Sequence, residues 1–378
     1  MRCNALVRRL ALYAGGFLGP FGGGVLTVLI PDLRSHFDVS TSTAALVLPA
    51  YLVPFAALQL VSGTIGERWG AARTIRAAYL AYAAASLFAT AASAIGVLLV
   101  ARSLQGVANA FITPLLLAAL AESVAAATLG RSMGTFAAVQ TAGVVSAPLC
   151  GGLAGEVDFR LAFVIPAAVA LLLAAVRLPG TERAPEGDEA TVRAALNRSV
   201  AWVSAGAFVA YLAITGVAVL VALRAADDFG LGPTSRGLLL AGFGLAGVVA
   251  GRPAGTLVDE YGRGPVAAAG AFVCAAAVPL LGVVGSAAAL AAAWLAAGGG
   301  SALVWAALNT LAVEASPEHR AGAVSFIGAW KFAGVAVAPL VWLPLYETRT
   351  ALAFAVAGAG CVALAAIVNR AARTRAYL

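Results

Sequence analysis

The sequence predicts an all-α integral membrane protein with twelve transmembrane helices in two pseudo-symmetric six-helix bundles. Three observations predict it: an apolar composition, twelve apolar runs of membrane-spanning length, and a repeat that relates the two halves. Apolar residues make up 62% of the 378 positions and charged residues 11%, with a mean hydropathy of +0.94. A soluble domain carries roughly a quarter charged residues. Most of the surface of this chain must therefore face lipid.

Each predicted helix is an apolar run of about 20 residues, the length that crosses a hydrocarbon core about 30 Å thick. Such runs must be helical because lipid offers the backbone no hydrogen bonds. In the N-terminal bundle, predicted at 1–178, they lie at about 10–30, 44–65, 75–94, 96–121, 132–154 and 161–178. In the C-terminal bundle, predicted at 200–378, they lie at about 200–223, 236–257, 265–285, 287–312, 321–343 and 350–370. The segment between them, 179–199, is polar and too short to hold a core, so we interpret it as a linker.

The basic residues predict the orientation of these spans. With the N-terminus in the cytoplasm, 17 of the 24 basic residues lie inside and 5 outside, the latter being Arg34, Arg160, Arg224, Arg236 and Arg349. This bias follows the positive-inside rule, so both termini and the linker are predicted to be cytoplasmic. The run after the basic start lacks a convincing cleavage site and is interpreted as an uncleaved first span. We expect a multi-pass protein of the plasma (inner) membrane of a prokaryote.

Charge and cysteine patterns exclude other classes of protein. Although the net charge is +7, the arginines lie in short gaps between apolar runs rather than in one patch of a polar domain, which excludes nucleic-acid binding. The four cysteines show no metal-binding or disulfide spacing, and both histidines lie in loops, so no metal site is predicted. No segment of the sequence resembles a nucleotide-binding loop, which argues against direct use of ATP.

Two pairs of segments reveal an internal repeat. The loop at 63–70, GTIGERWG, matches 255–262, GTLVDEYG, at an offset of 192. The segment 140–148, QTAGVVSAP, matches 331–339, KFAGVAVAP, at an offset of 191. Because six spans separate the copies, the halves share one orientation and form a parallel repeat about an axis along the membrane normal.

At these positions the chain resembles the major facilitator superfamily over its whole length, and in particular its drug/proton antiporters. The loop from Gly63 to Arg73 is similar to the G-x-x-x-D-R-x-G-R-R signature at Gly63, Glu67, Arg68 and Gly70. Glu67 replaces the usual Asp, and Ala71 and Ala72 stand where basic residues are common. The stretch Arg102-Ser-Leu-Gln105-Gly106 resembles the R-x-x-Q-G element associated with proton coupling. The fifth span resembles an element typical of exporters at Gly134, Gly143, Pro148, Gly151 and Gly152, with Ala147 replacing one glycine.

The resemblance implies conformational roles for these motifs. Glu67 and Arg68 in one half, with Asp259 and Arg263 in the other, are expected to latch neighbouring helices on the cytoplasmic face. The alternative is ordinary solvated loop charge. The glycines and proline of the fifth span are expected to let helices pack closely and bend during gating. The alternative there is generic small-residue packing, which we also favour for the glycine-dense first span.

Polar side chains inside spans are costly and therefore informative. In the fourth span Arg102, Gln105, Asn109 and Thr113 share one helical face, and the same spacing recurs at Ser301, Trp305 and Asn309. Tyr13, Phe17 and Pro20 align on the first span, as do Tyr211 and Thr215 on the seventh. By resemblance, spans 1, 4, 7 and 10 surround the central cavity, so these stripes are predicted to line it. The alternatives are interhelical hydrogen bonds and, for Arg102, snorkelling to the membrane surface.

Lys331 is the only lysine of the chain, and it lies about ten residues from either end of the eleventh span, where the first half has Gln140. Arginine stays protonated in proteins, whereas a buried lysine can lose its proton. We predict that Lys331 either pairs with an anionic group of the substrate or carries the coupling proton. The alternative is a structural hydrogen bond to carbonyls of a facing helix.

All 17 acidic residues lie in loops or at span ends, so no carboxylate is predicted at membrane depth to bind a cationic compound. The sequence therefore predicts a secondary transporter of small neutral or anionic amphiphiles, working by alternating access and exporting them in exchange for protons. It needs no bound cofactor, and a monomer is the family expectation. The alternatives are uptake of a small organic anion and a transport-inactive membrane sensor or scaffold. An intramembrane enzyme is disfavoured because no catalytic pattern lies within a span.

Overall fold

The computed structural model describes residues 2–124, 126–176, 178, 196–316 and 320–374. The chain divides into two compact units, Met1–Gly187 and Asp188–Leu378. The described part of each unit is helical and contains no strand. Most of the predicted linker lies outside the described residues, so its bounds stay a prediction.

The first unit contains nine helices within the described ranges. Their bounds are α1 Arg2–Gly24, α2 Ile30–Phe37, α3 Thr41–Ala45, α4 Val47–Trp69, α5 Ala71–Thr90, α6 Ile95–Ala110, α7 Thr113–Ser123, α8 Ala126–Val157 and α9 Leu161–Ala175. A short 3₁₀ turn, Thr27–Leu29, joins α1 to α2. Helix α1 packs on α8, α4 on α6, and α5 on α6 and α9. The core of the unit therefore forms largely between helices that are not consecutive in sequence.

The described part of the second unit contains seven α-helices. Their bounds are α10 Arg198–Ala210, α11 Ala218–Asp227, α12 Pro233–Tyr261, α13 Arg263–Leu280, α14 Ala287–Glu314, α15 Arg320–Thr348 and α16 Thr350–Thr374. A π-helical turn, Tyr211–Thr215, lies between α10 and α11. The side chains of Asn197 and Ser286 cap α10 and α14 by accepting hydrogen bonds from the first-turn amides of Val200 and Ala289.

Helices lie at all twelve predicted spans, and within the described residues ten helical segments are long and apolar enough to cross a membrane. The other two are α5 and α9. Helix α5 carries Arg73 and Arg76 in its first two turns, and α9 has 15 residues in the described range. Apolar length alone therefore supports ten spans, and the repeat and the fold support the remaining two.

Two predicted stripes are interrupted in the structure. Thr113 does not continue the helix of Arg102, because α6 ends at Ala110 and α7 begins at Thr113. Pro114 follows directly, and proline both lacks an amide hydrogen and restricts the residue before it. In the seventh span, Tyr211 and Thr215 lie at the two ends of the π turn instead of on a regular α-helical face. The expected regular stripes are wrong at these two points.

The sequence repeat is also a repeat of close helix contacts inside each unit. A Cβ placed on Gly143 of α8 would lie 2.7 Å from the Phe17 carbonyl oxygen of α1. A Cβ on Gly334 of α15 would lie 2.5 Å from the Phe208 carbonyl oxygen of α10. Both pairs are related by the offset of 191. The repeated glycines thus let the same two backbones approach in each half.

Candidate functional site

The amine of Lys331 lies among aromatic rings in the second unit. Its Nζ is 5.0 Å from the centre of the Tyr211 ring and 5.9 Å from that of Trp305. It is 5.8 Å from the ring of the neighbouring Phe332. The rings of Tyr211 and Trp305 contact each other, with centroids 4.2 Å apart. A cation within about 6 Å of an aromatic face is attracted to it. We call Lys331, Tyr211 and Trp305 the lysine cluster.

Three elements position the lysine cluster: α15 carries Lys331, α14 carries Trp305, and the π turn carries Tyr211. In this turn the amide of Gly216 donates to the carbonyl of Tyr211 over 2.7 Å, a five-residue step that leaves nearby carbonyls without their α-helical donors. Trp342 Nε1 donates to one of them, the Leu212 oxygen, over 2.8 Å. Single π turns inside helices are frequent at functional sites. The irregular backbone here is held by a specific side-chain donor from α15.

Lys331 is half-buried and has no ion pair or hydrogen bond among the described side chains. Three aromatic rings lie within about 6 Å of Nζ, and ring faces attract a cation but do not neutralise it. Burying a charge without an anionic or hydrogen-bonding partner is costly. This cation is therefore available to an anionic or polar group of a ligand.

Arg102 in the first unit has the opposite environment. Its side chain is fully buried. Nη1 donates to the Gly22 carbonyl over 3.0 Å and to Gln105 Oε1 over 2.9 Å, and Nε donates to the Val47 carbonyl over 3.3 Å. The guanidinium carbon lies 4.2 Å from the centre of the Tyr51 ring. Arg102 thus fastens α1, α4 and α6 together and does not snorkel to the surface.

Gln105 extends this network. Its Nε2 donates to Ser86 Oγ over 2.7 Å, and Ser86 Oγ donates to the Tyr82 carbonyl over 2.7 Å. Both side chains are buried inside the first unit. Arg102 and Gln105 therefore act as interhelical hydrogen-bonding groups here, the alternative that the sequence left open, and neither lines an open space in this unit.

The other predicted cavity residues divide between buried and open positions. Asn109 is buried against Gly19, and its Oδ1 has no described partner. The Tyr13 hydroxyl accepts a 3.5 Å hydrogen bond from Arg9, and Phe17 stacks on Phe21 with centroids 5.2 Å apart. Gln140 is half-buried without a described hydrogen bond, and Asn309 is exposed. Only Tyr211 and Trp305, among these residues, contact Lys331.

The glycines of the fifth span are not equivalent. A Cβ on Gly143 or Gly151 would collide with a backbone carbonyl of the first span, at Phe17 and Val25 respectively. A Cβ on Gly134 would meet nothing within 4 Å. Gly152 is buried and Pro148 half-buried within the continuous helix α8. The close packing of this motif is therefore concentrated at Gly143 and Gly151.

The two loop motifs share a backbone feature. Gly70 and Gly262, related by the offset of 192, have positive φ angles of 89° and 85° and precede α5 and α13. Only glycine adopts such angles readily. Arg263 forms an ion pair of 2.5 Å with Glu314 at the end of α14. Asp259 is exposed and has no described partner. The side chain of Glu67 lies outside the described set, so the predicted Glu67–Arg68 latch stays a prediction.

Comparison with known proteins identifies the family. The family model described as Major Facilitator Superfamily matches residues 12–205 and again residues 203–376. Together the two matches span nearly the whole chain. The chain belongs to the Major Facilitator Superfamily. It is therefore a multi-pass membrane protein, and the fold predicted from the motifs is confirmed.

Individual superfamily members show the same relationship. The chain is 30% identical over 165 residues to puromycin resistance protein pur8 of Streptomyces alboniger, which covers 43% of this chain and 33% of that protein. It is 25% identical over 176 residues to multidrug resistance protein 1 of Bacillus subtilis, covering 46% and 45%. The chain thus spans less than half the length of these relatives.

A solved structure shows the fold over nearly the full length. The crystal structure of a bacterial homologue of the human lysosomal transporter Spinster, inward-facing and unoccupied, matches with a TM-score of 0.75 at 16% identity. The match covers 99% of this chain and 96% of that one. At this identity the match establishes the superfamily fold alone.

Sequence reasoning missed two aromatic contacts in this superfamily member, one at Arg102 and one at the position that the repeat pairs with it. Tyr51, which stacks on Arg102, lies in a span without a polar motif. Trp294, stacked on Phe243 with centroids 4.5 Å apart, was also missed. The offset of 192 pairs Arg102 with Trp294 and Tyr51 with Phe243, so extending the repeat through the spans would have found both pairs.

Proposed function

We propose that this chain is a secondary active exporter of small neutral or anionic amphiphilic compounds that works by alternating access in exchange for protons. It would act as a monomer in the plasma membrane of a prokaryote, with both termini cytoplasmic, and would use the proton gradient without a bound cofactor. The observation that carries the proposal is the lysine cluster. It offers a half-buried cation with aromatic faces and without a described anionic partner.

The chemistry of the lysine cluster favours a ligand with an acidic or polar group attached to an apolar ring or chain. The acidic or polar group would pair with Lys331 Nζ, and the apolar part would lie on the rings of Tyr211 and Trp305. The contact would be strong because the surroundings are apolar and charge-assisted hydrogen bonds exceed neutral ones. Arg102 is less accessible to such a group, because its side chain is fully buried and its Nε and Nη1 donate to carbonyl oxygens of its own unit, although Nη2 has no described partner.

Two observations support export coupled to protons. Relatives named for puromycin and multidrug resistance match parts of this chain, and the exporter-type glycines of the fifth span are in close contact with the first. The mid-span lysine is the group proposed to exchange the proton, since every carboxylate of the sequence lies in a loop or at a span end. In this proposal a lysine that loses its proton would release an anionic compound.

The first experiment measures thermal stabilisation of the purified protein by a matched panel of fluorescent amphiphiles carrying a sulfonate, no charge or a quaternary ammonium group, at two pH values. We expect stabilisation by the sulfonate and neutral compounds and a loss of the sulfonate effect in Lys331→Met. Preference for the quaternary ammonium, or equal sulfonate binding in Lys331→Met, would overturn the proposed site. Gln140→Met is the matched control in the other half and should leave sulfonate binding in place.

The second experiment separates charge from proton exchange. Arginine keeps the positive charge but does not lose its proton. In proteoliposomes, Lys331→Arg should bind the stabilising compound yet lose at least about tenfold of its proton-driven export, a loss of about 1.4 kcal/mol in transition-state stabilisation. Unchanged proton-driven flux in Lys331→Arg would remove Lys331 from coupling. Accumulation directed inward under the same gradient would favour uptake instead.

A further inference from the structure

A second basic site lies at one end of the first unit, away from the polar residues of its spans. Arg73 and Arg76 occupy the first two turns of α5, both exposed and both without a described hydrogen bond or ion pair. The first turn of α5 contains no acidic residue. Two unneutralised arginines one turn apart create a local positive potential.

These arginines line a cleft of about 330 Å³ between the start of α5 and the end of α9. Its remaining walls are apolar: Ile75 and Tyr79 come from α5, and Leu173 and Val176 come from α9 and its end. All lining residues belong to the first unit. The cleft therefore combines two guanidinium groups with an apolar floor, an arrangement suited to an amphiphile with an anionic head.

An exposed aromatic residue beside the cleft is typical of the level at which a membrane protein meets lipid headgroups. Trp69, at the end of α4 and four residues before Arg73, is 70% exposed, as expected of an aromatic residue at the membrane interface. Along α5, the spacing of three and seven residues puts Arg73, Arg76, Leu80 and Leu87 on one helical face. Leu80 and Leu87 are 46% and 48% exposed. An apolar path thus leads from the arginines into the hydrocarbon region.

The other half lacks this site. The offset of 192 places Pro265 and Ala268 where the first half has Arg73 and Arg76. The interface aromatic is kept, because Tyr261 occupies the position of Trp69 and is 60% exposed. The membrane interface is therefore a shared feature of the halves, whereas the basic cleft is specific to the first.

We propose that the cleft formed by Arg73, Arg76, Ile75, Tyr79, Leu173 and Val176 binds the phosphate headgroup of an anionic phospholipid, with an acyl chain along Leu80 and Leu87. Arginine forms two parallel hydrogen bonds to a phosphate group, and two arginines can hold its oxygens from both sides. The exposed leucines supply the contact that a soluble phosphate compound cannot use. The site concerns a bound lipid and is independent of what the transporter carries.

The test compares lipid stabilisation of the full-length protein in detergent. We expect phosphatidylglycerol to stabilise the wild type more than phosphatidylcholine of the same chain length does. Each arginine near an anionic surface contributes about fivefold to binding, so Arg73→Gln/Arg76→Gln should weaken the apparent affinity for phosphatidylglycerol by about twenty- to thirtyfold. Arg131→Gln/Arg252→Gln removes the same charge from exposed positions outside the cleft. This control should keep the phosphatidylglycerol effect.

The outcomes are distinct. Equal stabilisation by both lipids in the wild type, or an equal loss in the control variant, would overturn the proposal. Stabilisation by glycerol phosphate or inorganic phosphate alone, at the concentration at which the lipid acts, would assign the cleft to a soluble phosphate and also overturn it. If Arg73→Gln/Arg76→Gln fails to fold, Leu80→Asn/Leu87→Asn tests the acyl path. That variant should weaken binding of phosphatidylglycerol more as its chains lengthen, and a loss independent of chain length would contradict the proposal.

Discussion

Each unit places a cation against aromatic rings, but the two cations have different surroundings. Arg102 is fully buried beside Tyr51 and donates to two backbone carbonyls and to Gln105. Lys331 is half-buried beside Tyr211 and Trp305 and has no such acceptor among the described residues. The first cation is enclosed in its unit and donates to acceptors there through Nε and Nη1, whereas no described side chain pairs with the second.

The repeat shows that these cations do not correspond to each other. The position of Arg102 in the second unit is occupied by Trp294, stacked on Phe243, and the position of Lys331 in the first unit is occupied by Gln140. Meanwhile the backbone contacts are conserved between the units: Gly106 approaches the Tyr51 carbonyl as Gly298 approaches the Phe243 carbonyl. The two halves therefore share their close helix contacts but differ in the polar and charged side chains at equivalent positions.

The largest expected effect is the loss of the Arg102 guanidinium. Arg102→Met would leave the Gly22 and Val47 carbonyls and Gln105 without their donor in a buried region. Each acceptor left unsatisfied costs about 1–3 kcal/mol. We expect a lower thermal midpoint in detergent, or no folded protein at all. A midpoint within a degree of wild type would show that these hydrogen bonds do not hold the unit together.

The matched substitution in the second unit is Trp294→Phe. Trp294 stacks on Phe243, but its Nε1 has no described hydrogen-bond partner, so phenylalanine keeps the ring contact and removes an unsatisfied polar atom. Because phenylalanine is smaller than the buried indole, the exchange leaves a small cavity and should cost about 1–2 kcal/mol. Equal destabilisation by Arg102→Met and Trp294→Phe would contradict the proposed difference, in which hydrogen bonds join the helices at this position of the first unit and an aromatic stack joins them in the second.

The glycines of the fifth and eleventh spans are expected to have a smaller effect than the loss of the Arg102 guanidinium. Gly143→Ala and Gly334→Ala would place a methyl group within 2.7 Å and 2.5 Å of a backbone oxygen, so the helices must separate in both units. Overpacking of this kind costs about 1–3 kcal/mol. Gly134→Ala is the control, since open space surrounds that position. Alanine is the better helix former, so propensity alone would raise the thermal midpoint of all three variants. Equal midpoint changes in the three variants would therefore show that close helix contact does not govern this motif.

The helices and their repeated contacts could largely be predicted from the sequence, because they depend on residues such as glycine that the backbone conformation requires. The offset of the repeat predicted that Gly70 and Gly262 share a role, and both have positive φ. Side-chain partners could not be predicted in the same way. Arg102 bonds to carbonyl oxygens, which any residue can supply, and nothing in the residues at Gly22 and Val47 marks them as acceptors.

Local breaks in the helices limited the prediction further. A stripe of residues at regular spacing assumes one continuous helix. The helix is interrupted between Ala110 and Thr113, directly before Pro114, so the assumption fails there. The π turn at Tyr211–Thr215 had no equally clear signal, because its backbone is stabilised by Trp342 from a distant helix. That the π turn lies beside Lys331 depends on the packing of this turn against α15, which the sequence pattern does not show.

The smallest effect tests the loop motifs. Arg263 pairs with Glu314 in the second unit, and the offset of 192 gives Ala71 and Glu122 in the first, so the ion pair has no counterpart there. The two side chains are partly exposed, at 39% and 19%, and ion pairs of this kind contribute about 0–1 kcal/mol. Glu314→Gln should therefore lower the thermal midpoint slightly and lose that effect in high salt, whereas Glu122→Gln should leave it unchanged. If Glu314→Gln instead alters export rate without altering stability, the pair acts in the conformational cycle, as the loop motif predicts.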